Sequence, residues 1–301
     1  MHKQLLIVLF LTGIVASCET YPQDEYQEQY VVEAYLVANR QLPSILLSKT
    51  VRADVLYDFE EQSINNASIE VQLLESGPNS APEQIFTYQN QLPGIYIPNP
   101  NHKVLPTRTY QLKITFPYSD DIVTAYTVVP DTFRVVGEVQ DTVEYQSPEQ
   151  LELTLTQSSY PGRQNIYVFN ALAQNIIPQN LTPFYKEVYD ESETPEQELE
   201  SFSNNSSGII NEGNFELNPN GSFTFDFPWI GIAFYQENFI VANTIDDNIY
   251  DFIRSQETQL GGSTFSPGQI QNVIYRMNGG IGIFGSLATD TVKTFVELPV
   301  L

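Results

Sequence analysis

Short runs of β-branched and aromatic residues, separated by turn residues, recur along the chain from Tyr30 onward. Within residues 110–116 the apolar side chains fall on every second position, which is typical of a strand with one buried face. Up to residue 130 this pattern predicts seven strands, at 30–37, 42–51, 67–75, 84–88, 94–98, 107–116 and 122–129. About seven short strands in roughly 100 residues is the count expected of an immunoglobulin-like or transthyretin-like β-sandwich.

The pattern continues beyond Pro130, where a proline that cannot pair in a ladder marks a domain boundary. The strands predicted there are 132–139, 151–156, 165–173, 208–217, 222–227, 230–235 and 238–243, followed by a closing hairpin of 281–287 and 292–298. Ile249, Phe252 and Ile253 share one face of a helix capped by an aspartate, which predicts a helix over 247–257. We therefore expect an all-β fold with minor α content. It comprises a β-sandwich over 30–130 and a second β-rich sandwich domain over 131–301 with one short helix.

One window of the second half interrupts the strands with acidic side chains. Between residues 187 and 200 seven Asp and Glu residues crowd together, and they lead into a stretch of Ser and Asn. Self-repulsion and low hydrophobicity predict a solvated loop over 186–207, with a frayed helix within it as an alternative. Calcium binding is the alternative interpretation, although the alternating oxygen ligands and the glycine turn of a calcium loop are absent.

The first residues have the layout of a secretory signal, with Lys3 followed by an apolar stretch from Leu5 to Ala16 and then Cys18. The apolar stretch is shorter than the ~20 residues that span a bilayer. A cysteine directly after small residues resembles the lipobox of bacterial lipoproteins, in which the thiol is acylated, for example with palmitate. We therefore predict a signal peptide at 1–17, a lipidated Cys18 and a solvated acidic tether at 18–29. An ordinary signal peptide is the alternative.

Charge narrows the classes of partner. Once Lys3 is removed with the signal, 12 Lys and Arg side chains face 37 Asp and Glu side chains, a net charge of −25. Such a surface repels nucleic acid phosphates and anionic lipid heads, so neither is an expected partner. If Cys18 is acylated, no thiol is left for a disulfide, a nucleophile or a metal.

Residues 280–285 match the glycine motif G-x-G-x-x-G of dinucleotide-binding sites, but the predicted structure around them argues against a dinucleotide site. That motif must open a helix, whereas here the glycines lie in a predicted strand. We expect them to permit a bulge or close packing instead. His102, the single histidine of the mature chain, is expected to lie exposed in a turn, because a zinc site or a catalytic triad needs more partners than this chain offers.

Glycosidase activity is an alternative, because acid pairs such as Asp120-Asp121 and Asp246-Asp247 could supply its two carboxylates. The only support for it is that the two acids of each pair are neighbours in the sequence. We predict no catalytic residue, no metal and no cofactor. The lone Trp229 is a weak candidate for a ligand-binding residue, as a platform on which a sugar stacks. A position in the core is the alternative.

Several segments together resemble one known family. They are 30–36, 67–71, 93–96 and 110–114 in the first half, then 250–252, 270–273 and the glycine-rich 279–285. In this order, behind the lipobox and the acidic tether, they resemble the domain of unknown function 4249 family. The resemblance implies an envelope lipoprotein of Bacteroidota, often encoded beside TonB-dependent outer-membrane receptors, and brings no settled activity with it.

Acids soon after an acylated cysteine also resemble the export signal that sends such lipoproteins to the outer face of the outer membrane. We therefore expect a non-enzymatic lipoprotein, anchored in the outer membrane and facing the exterior. It would capture a ligand or bind a partner as an accessory subunit of a TonB-dependent transporter. The alternatives are a structural or adhesive surface lipoprotein with no transported ligand, and a carboxylate hydrolase.

Overall fold

Strands dominate the part of the chain that the computed structural model describes, residues 26–137, 139–260 and 272–299. The first half contains β1 (Tyr30–Val37), β2 (Ile45–Lys49), β3 (Ser68–Leu74), β4 (Pro82–Leu92), β5 (Ile95–Pro98), β6 (Thr109–Thr115) and β7 (Ile122–Val128). The second half contains β8 (Val135–Val136), β9 (Thr142–Glu144), β10 (Leu151–Leu155), β11 (Ile166–Ala173), β12 (Asn204–Ser206), β13 (Ile210–Asn211), β14 (Phe223–Phe227), β15 (Gln236–Ile245), β16 (Met277–Asn278) and β17 (Ile281–Glu297). The helices are α1 (Pro183–Glu191), α2 (Pro195–Ser201) and α3 (Asp247–Leu260).

Strand β4 divides the first half into two layers. Its residues 82–87 pair with β3 and its residues 88–92 pair with β5, so it passes from one layer into the other. One layer contains β1, β2 and β5, and the other contains β3, β6 and β7. Val32 and Leu36 of β1 lie in one buried cluster with Leu112 and Ile114 of β6, because alternate side chains of each strand turn inward. The expected all-β sandwich is confirmed.

Strand β17 joins the two halves. Its residues 281–287 pair in parallel with β1, and its residues 287–296 pair antiparallel with β15. The large sheet follows the order β12-β11-β15-β17-β1-β2-β5-β4-β3-β6-β7-β16, and a small sheet has the order β14-β10-β8. Buried side chains from both sides of residue 130 form one cluster, in which Val32 and Phe169 take part. The division into two domains at that residue stays a prediction.

The closing hairpin predicted from 281–287 and 292–298 is wrong, because these residues form the single strand β17. The polar stretch between them, which suggested a turn, keeps its ladder with β15. Its side chains find partners within the fold, since the Asp290 carboxylate accepts hydrogen bonds from the N–H groups of Val135 and Thr291.

The loop predicted over 186–207 is also corrected. This window contains most of α1, all of α2 and the edge strand β12. Apolar residues within and beside the acidic window supply the reason, because Tyr189, Leu199 and Phe202 pack against a small separate core that contains Phe234. The described part of the second half therefore has three α-helices, whereas the sequence firmly predicted one and left a frayed helix open in the acidic window. The helix predicted over 247–257 is present as α3. None of the helices in the described residues is long and apolar enough to cross a bilayer.

Candidate functional site

The residues singled out by the sequence lie far apart in the fold. Cys18 falls outside the described residues, so its acylation stays a prediction. Trp229 begins a 3-10 turn and lies half-buried, with its ring edge-to-face to Tyr145 at 5.6 Å between centroids. Packing of this kind uses the ring as part of a core. Ligand binding by Trp229 stays a prediction.

His102 is less exposed than its turn position predicted. Its ring stacks on Phe86, with centroids 4.2 Å apart, and its Nε2 lies 2.9 Å from the hydroxyl of Tyr110. Burial lowers the pKa of His102, which favours the neutral ring. The histidine is half-buried because a neutral imidazole packs as an aromatic side chain against the sandwich.

The two acid pairs occupy different environments. Asp120 and Asp121 are exposed, and Asp121 accepts a hydrogen bond from the hydroxyl of Tyr30 at 2.9 Å. Asp246 is 1% exposed, while its neighbour Asp247 pairs with Arg163 at 2.6 Å. A carboxyl so deeply buried does not meet a substrate, so the second pair lacks the geometry of a glycosidase. Among the described residues no group of three or more potential ligands could hold a metal ion.

Asp246 belongs instead to a buried polar cluster that ties α3 to the sheet. Its Oδ1 accepts the N–H of Ile249 at 2.9 Å and so caps the helix. Its Oδ2 is hydrogen-bonded to the hydroxyl of Thr127, which in turn contacts the hydroxyl of Ser286. Ser286 also donates to the carbonyl of Val128 at 3.0 Å. Burial raises the pKa of Asp246 to about 7, since ionisation inside the protein is unfavourable.

A cleft with a volume of about 360 Å³ lies where the two halves of the chain meet. It is formed by the turn after β1, the segment before β8 and the middle of β17. We call it the arginine cleft, and its lining residues are Ala38, Asn39, Arg40, Thr132, Phe133, Arg134, Thr289, Asp290 and Thr291. Its size falls in the range of small-molecule sites.

Hydrogen bonds fix the backbone on which both arginines stand. Near Arg40, the N–H of Ala38 donates to the carbonyl of Leu287 in β17 at 2.9 Å. The N–H of Arg134 donates to Thr156 Oγ1 at 2.9 Å, and the next residue is bonded to β17 through Asp290. The two guanidinium groups therefore extend from rigid segments of different halves of the chain.

Sequence reasoning did not identify Arg40 or Arg134. A weak signal exists for Arg40, because no acidic residue occurs between Glu33 and Asp54 to pair with it. For Arg134 the sequence offers no such signal, since Asp131 lies three positions away. Only the pairing of β17 with both halves brings the two residues to one cleft.

A second feature is an exposed apolar surface at one end of the large sheet, where β11 ends and β15 begins. We call it the apolar end, and it comprises Ile176, Ile177, Phe184, Ile230, Phe295 and Leu298, each at least 40% exposed. The hydroxyl of Tyr185 donates to the carbonyl of Ile230 at 2.8 Å, which holds the start of α1 against the turn at 229–231. The amide of Asn175 donates to Gln236, which pairs with the residue after Phe295.

Fold and surface together define an all-β sandwich protein that has a cleft where its two halves meet and an apolar end on its large sheet. The family model described as Domain of unknown function (DUF4249) matches residues 19–293. The chain therefore belongs to this family. No curated protein matches it significantly.

Solved structures offer only distant likenesses. Trypsin-activated alpha-2-macroglobulin from Escherichia coli is 9% identical with a TM-score of 0.21, over 74% of this chain and 15% of that one. Elastase-activated alpha-2-macroglobulin from Escherichia coli is 8% identical with a TM-score of 0.23, over 91% and 24%. The Salmonella protein reacted with methylamine is 8% identical with a TM-score of 0.22, over 92% and 24%. The chain thus spans less than a quarter of their length, and overlaps this low assign neither fold nor function.

Proposed function

We propose that this protein is a non-enzymatic lipoprotein of the Bacteroidota outer membrane, anchored through Cys18 and facing the exterior. It acts as an accessory subunit of a TonB-dependent transporter, for which it captures a ligand and to which it binds. The observation that carries the proposal is the apolar end. The family resemblance and the lipobox supply the location and the class of partner.

The apolar end is unusual for a chain of this charge. Ile230 is 55% exposed and Phe184 is 48% exposed, although the protein carries 37 acidic side chains to keep its surface polar. Clustered exposed apolar side chains of this kind mark protein contact sites more often than isolated ones do. Hydrogen bonds from Tyr185 and Asn205 to the carbonyl of Ile230 fix the surface in advance, which lowers the entropic cost of binding.

The charge around the apolar end specifies the chemistry of its partner. Phe184 lies on α1, and α1 and α2 together with the connection between them carry the acids Glu187, Asp190, Glu191, Glu193, Glu196, Glu198 and Glu200. Only Asp190 has an ion pair among the described residues, with Lys186. A complementary partner therefore presents an apolar surface flanked by Lys and Arg, because opposite potentials steer and align two proteins.

The test is co-purification from detergent-solubilised outer membranes. We expect the wild-type lipoprotein to bring down a TonB-dependent receptor, and the double variant Phe184→Ser with Ile230→Ser to bring down at least about tenfold less. The control is Leu56→Ser with Leu92→Ser, which removes two exposed leucines from the first half and should leave the receptor yield unchanged.

Each outcome decides between the candidates. If the variant of Phe184 and Ile230 recovers as much receptor as the wild type does, the apolar end is not the surface that binds the receptor. If neither wild type nor control recovers any receptor, the structural or adhesive alternative is favoured, since it needs no transporter. Thermal unfolding of the wild type and both double variants tests whether loss of folding is the cause.

A further inference from the structure

We propose that the arginine cleft binds a small hydroxylated molecule carrying one oxyanion, either a carboxylate or a phosphate. This inference deepens the ligand-capturing part of the proposed function and rests on it. It concerns the cleft alone and makes no use of the apolar end.

Arg40 and Arg134 differ from most other cations in having no acidic partner among the residues that the structure describes. Seven cations of the described residues form ion pairs, namely Lys49, Arg52, Arg108, Arg163, Lys186, Arg276 and Lys293. Neither Arg40 nor Arg134 has an ion pair or a side-chain hydrogen bond with a described residue. Acids outnumber cations about threefold, so two arginines left over at one cleft are available for an external anion. Guanidinium groups bind carboxylate and phosphate oxygens with two parallel hydrogen bonds.

Asp290 is the one carboxylate among the lining residues, and it is already engaged by the backbone. Its Oδ2 accepts the N–H of Val135 at 2.7 Å, and its Oδ1 accepts the N–H of Thr291 at 3.0 Å. These bonds hold both oxygens toward β8 and β17 instead of toward an arginine. Two positive charges and one negative charge leave the lining at +1, which favours an anionic ligand.

The rest of the lining favours hydroxyl groups on the ligand. Asn39, Thr132, Thr289 and Thr291 offer amide and hydroxyl groups, whereas the two apolar members, Ala38 and Phe133, are buried. A polar wall of donors and acceptors suits a ligand that can exchange hydrogen bonds with it. A volume of about 360 Å³ accommodates a molecule the size of a monosaccharide.

The experiment titrates the full mature lipoprotein in detergent with glucuronate, glucose 6-phosphate and glucose, and measures the dissociation constants by isothermal calorimetry at low salt. We expect at least one of the two anionic sugars to bind saturably and neutral glucose to bind at least about tenfold more weakly. Which anion binds identifies the oxyanion. Arg40→Gln and Arg134→Gln should each weaken binding about tenfold, and the double variant should abolish it. Because both arginines are exposed, added salt should also weaken binding.

Lys113→Gln is the matched control. Lys113 lies on β6 outside the cleft and has no ion pair among the described residues, so its loss changes the net charge equally. Binding within about twofold of wild type is expected, since a charge outside the cleft has only a weak, screened effect on the ligand. The proposal is overturned if neither anion binds, if glucose binds equally, if the arginine double variant still binds, or if Lys113→Gln weakens binding as much. Receptor co-purification is measured in a separate experiment. A failure of sugar binding would therefore leave the conclusion about receptor binding intact, and a failure of receptor binding would leave the conclusion about the cleft intact.

Discussion

Replacement of Gly282 by alanine is expected to destabilise the protein by at least about 3 kcal/mol. Gly282 has a φ of 108° and pairs with Val32 in the parallel ladder between β1 and β17. A Cβ on this residue would lie 2.1 Å from the carbonyl oxygen of Val32. A backbone atom cannot move aside as a flexible side chain does, so the ladder that joins the two halves must separate.

Urea unfolding followed by circular dichroism measures this effect. The matched control is Gly77→Ala, because a Cβ at Gly77 meets nothing within 4 Å, and its stability should change by no more than about 0.5 kcal/mol. A Gly282→Ala protein as stable as that control would show that β1 and β17 do not pair as described. The expectation that glycines of 280–285 serve close packing is confirmed at Gly282, and also at Gly285, whose Cβ would lie 2.5 Å from Ile249.

The second large effect is expected from Asp246→Asn, because the buried cluster is better satisfied when this carboxyl carries a proton. A protonated Asp246 donates to Thr127, Thr127 donates to Ser286, and Ser286 donates to the carbonyl of Val128. In this state the three hydroxyl hydrogens of Asp246, Thr127 and Ser286 form three hydrogen bonds. After ionisation Thr127 must donate to Asp246, and the single proton of Ser286 cannot serve both Thr127 and Val128. One buried contact therefore loses its hydrogen bond.

The pH dependence follows mainly from burial, which disfavours the ionised carboxyl of Asp246. The pKa of Asp246 rises from 3.8 to about 7 on folding, so the folded state binds more protons than the unfolded state between these values. Its contribution to stability is therefore complete below about pH 4 and is lost as pH rises to about 7, by up to roughly 4 kcal/mol. Asparagine at this position donates to Thr127 and accepts from Ile249 at every pH. The Asp246→Asn protein should thus match wild type near pH 4 and exceed its stability at pH 8.

The measurement is the difference in free energy of unfolding between wild type and variant from pH 4 to pH 8. Taking the difference cancels the titration of the other acids, which both proteins share. Asp226→Asn is the control, since it removes one carboxylate that is exposed on β14 and lies outside the buried cluster. Parallel pH curves for wild type and Asp246→Asn would show that Asp246 is ionised in the folded protein.

Strand β17 contributes residues to both stability predictions, to the arginine cleft and to the apolar end. Gly282 and Ser286 lie in the first part of β17, Asp290 lines the arginine cleft, and Phe295 belongs to the apolar end. Because β17 pairs with β1, β15 and β9 along its length, the cleft and the apolar end sit on one rigid element. Binding at either surface can thus be tested without expecting a change at the other.

The sequence by itself determined several of the local elements and the charge. Alternation of apolar residues located β1, β6 and β7 to within about two residues at each end. The apolar face of α3 was visible for the same reason, since a period of about 3.6 residues is a property of neighbouring positions. The strongly negative composition is likewise a property of the chain before it folds.

Tertiary structure alone decided what those elements form together. Apolar side chains of the acidic window stabilise α1 and α2 by packing against the core that contains Phe234. Residues 281–297, which include the predicted closing hairpin, form the single strand β17 because they pair with other strands. Thr127 and Asp246 are 119 positions apart in the sequence. No local sequence pattern therefore indicates the burial that raises the pKa of Asp246. Arg40 and Arg134 reach one cleft only because β17 binds both halves of the chain. Local sequence records which face of a strand is apolar, whereas strand partners and clefts depend on contacts between distant residues.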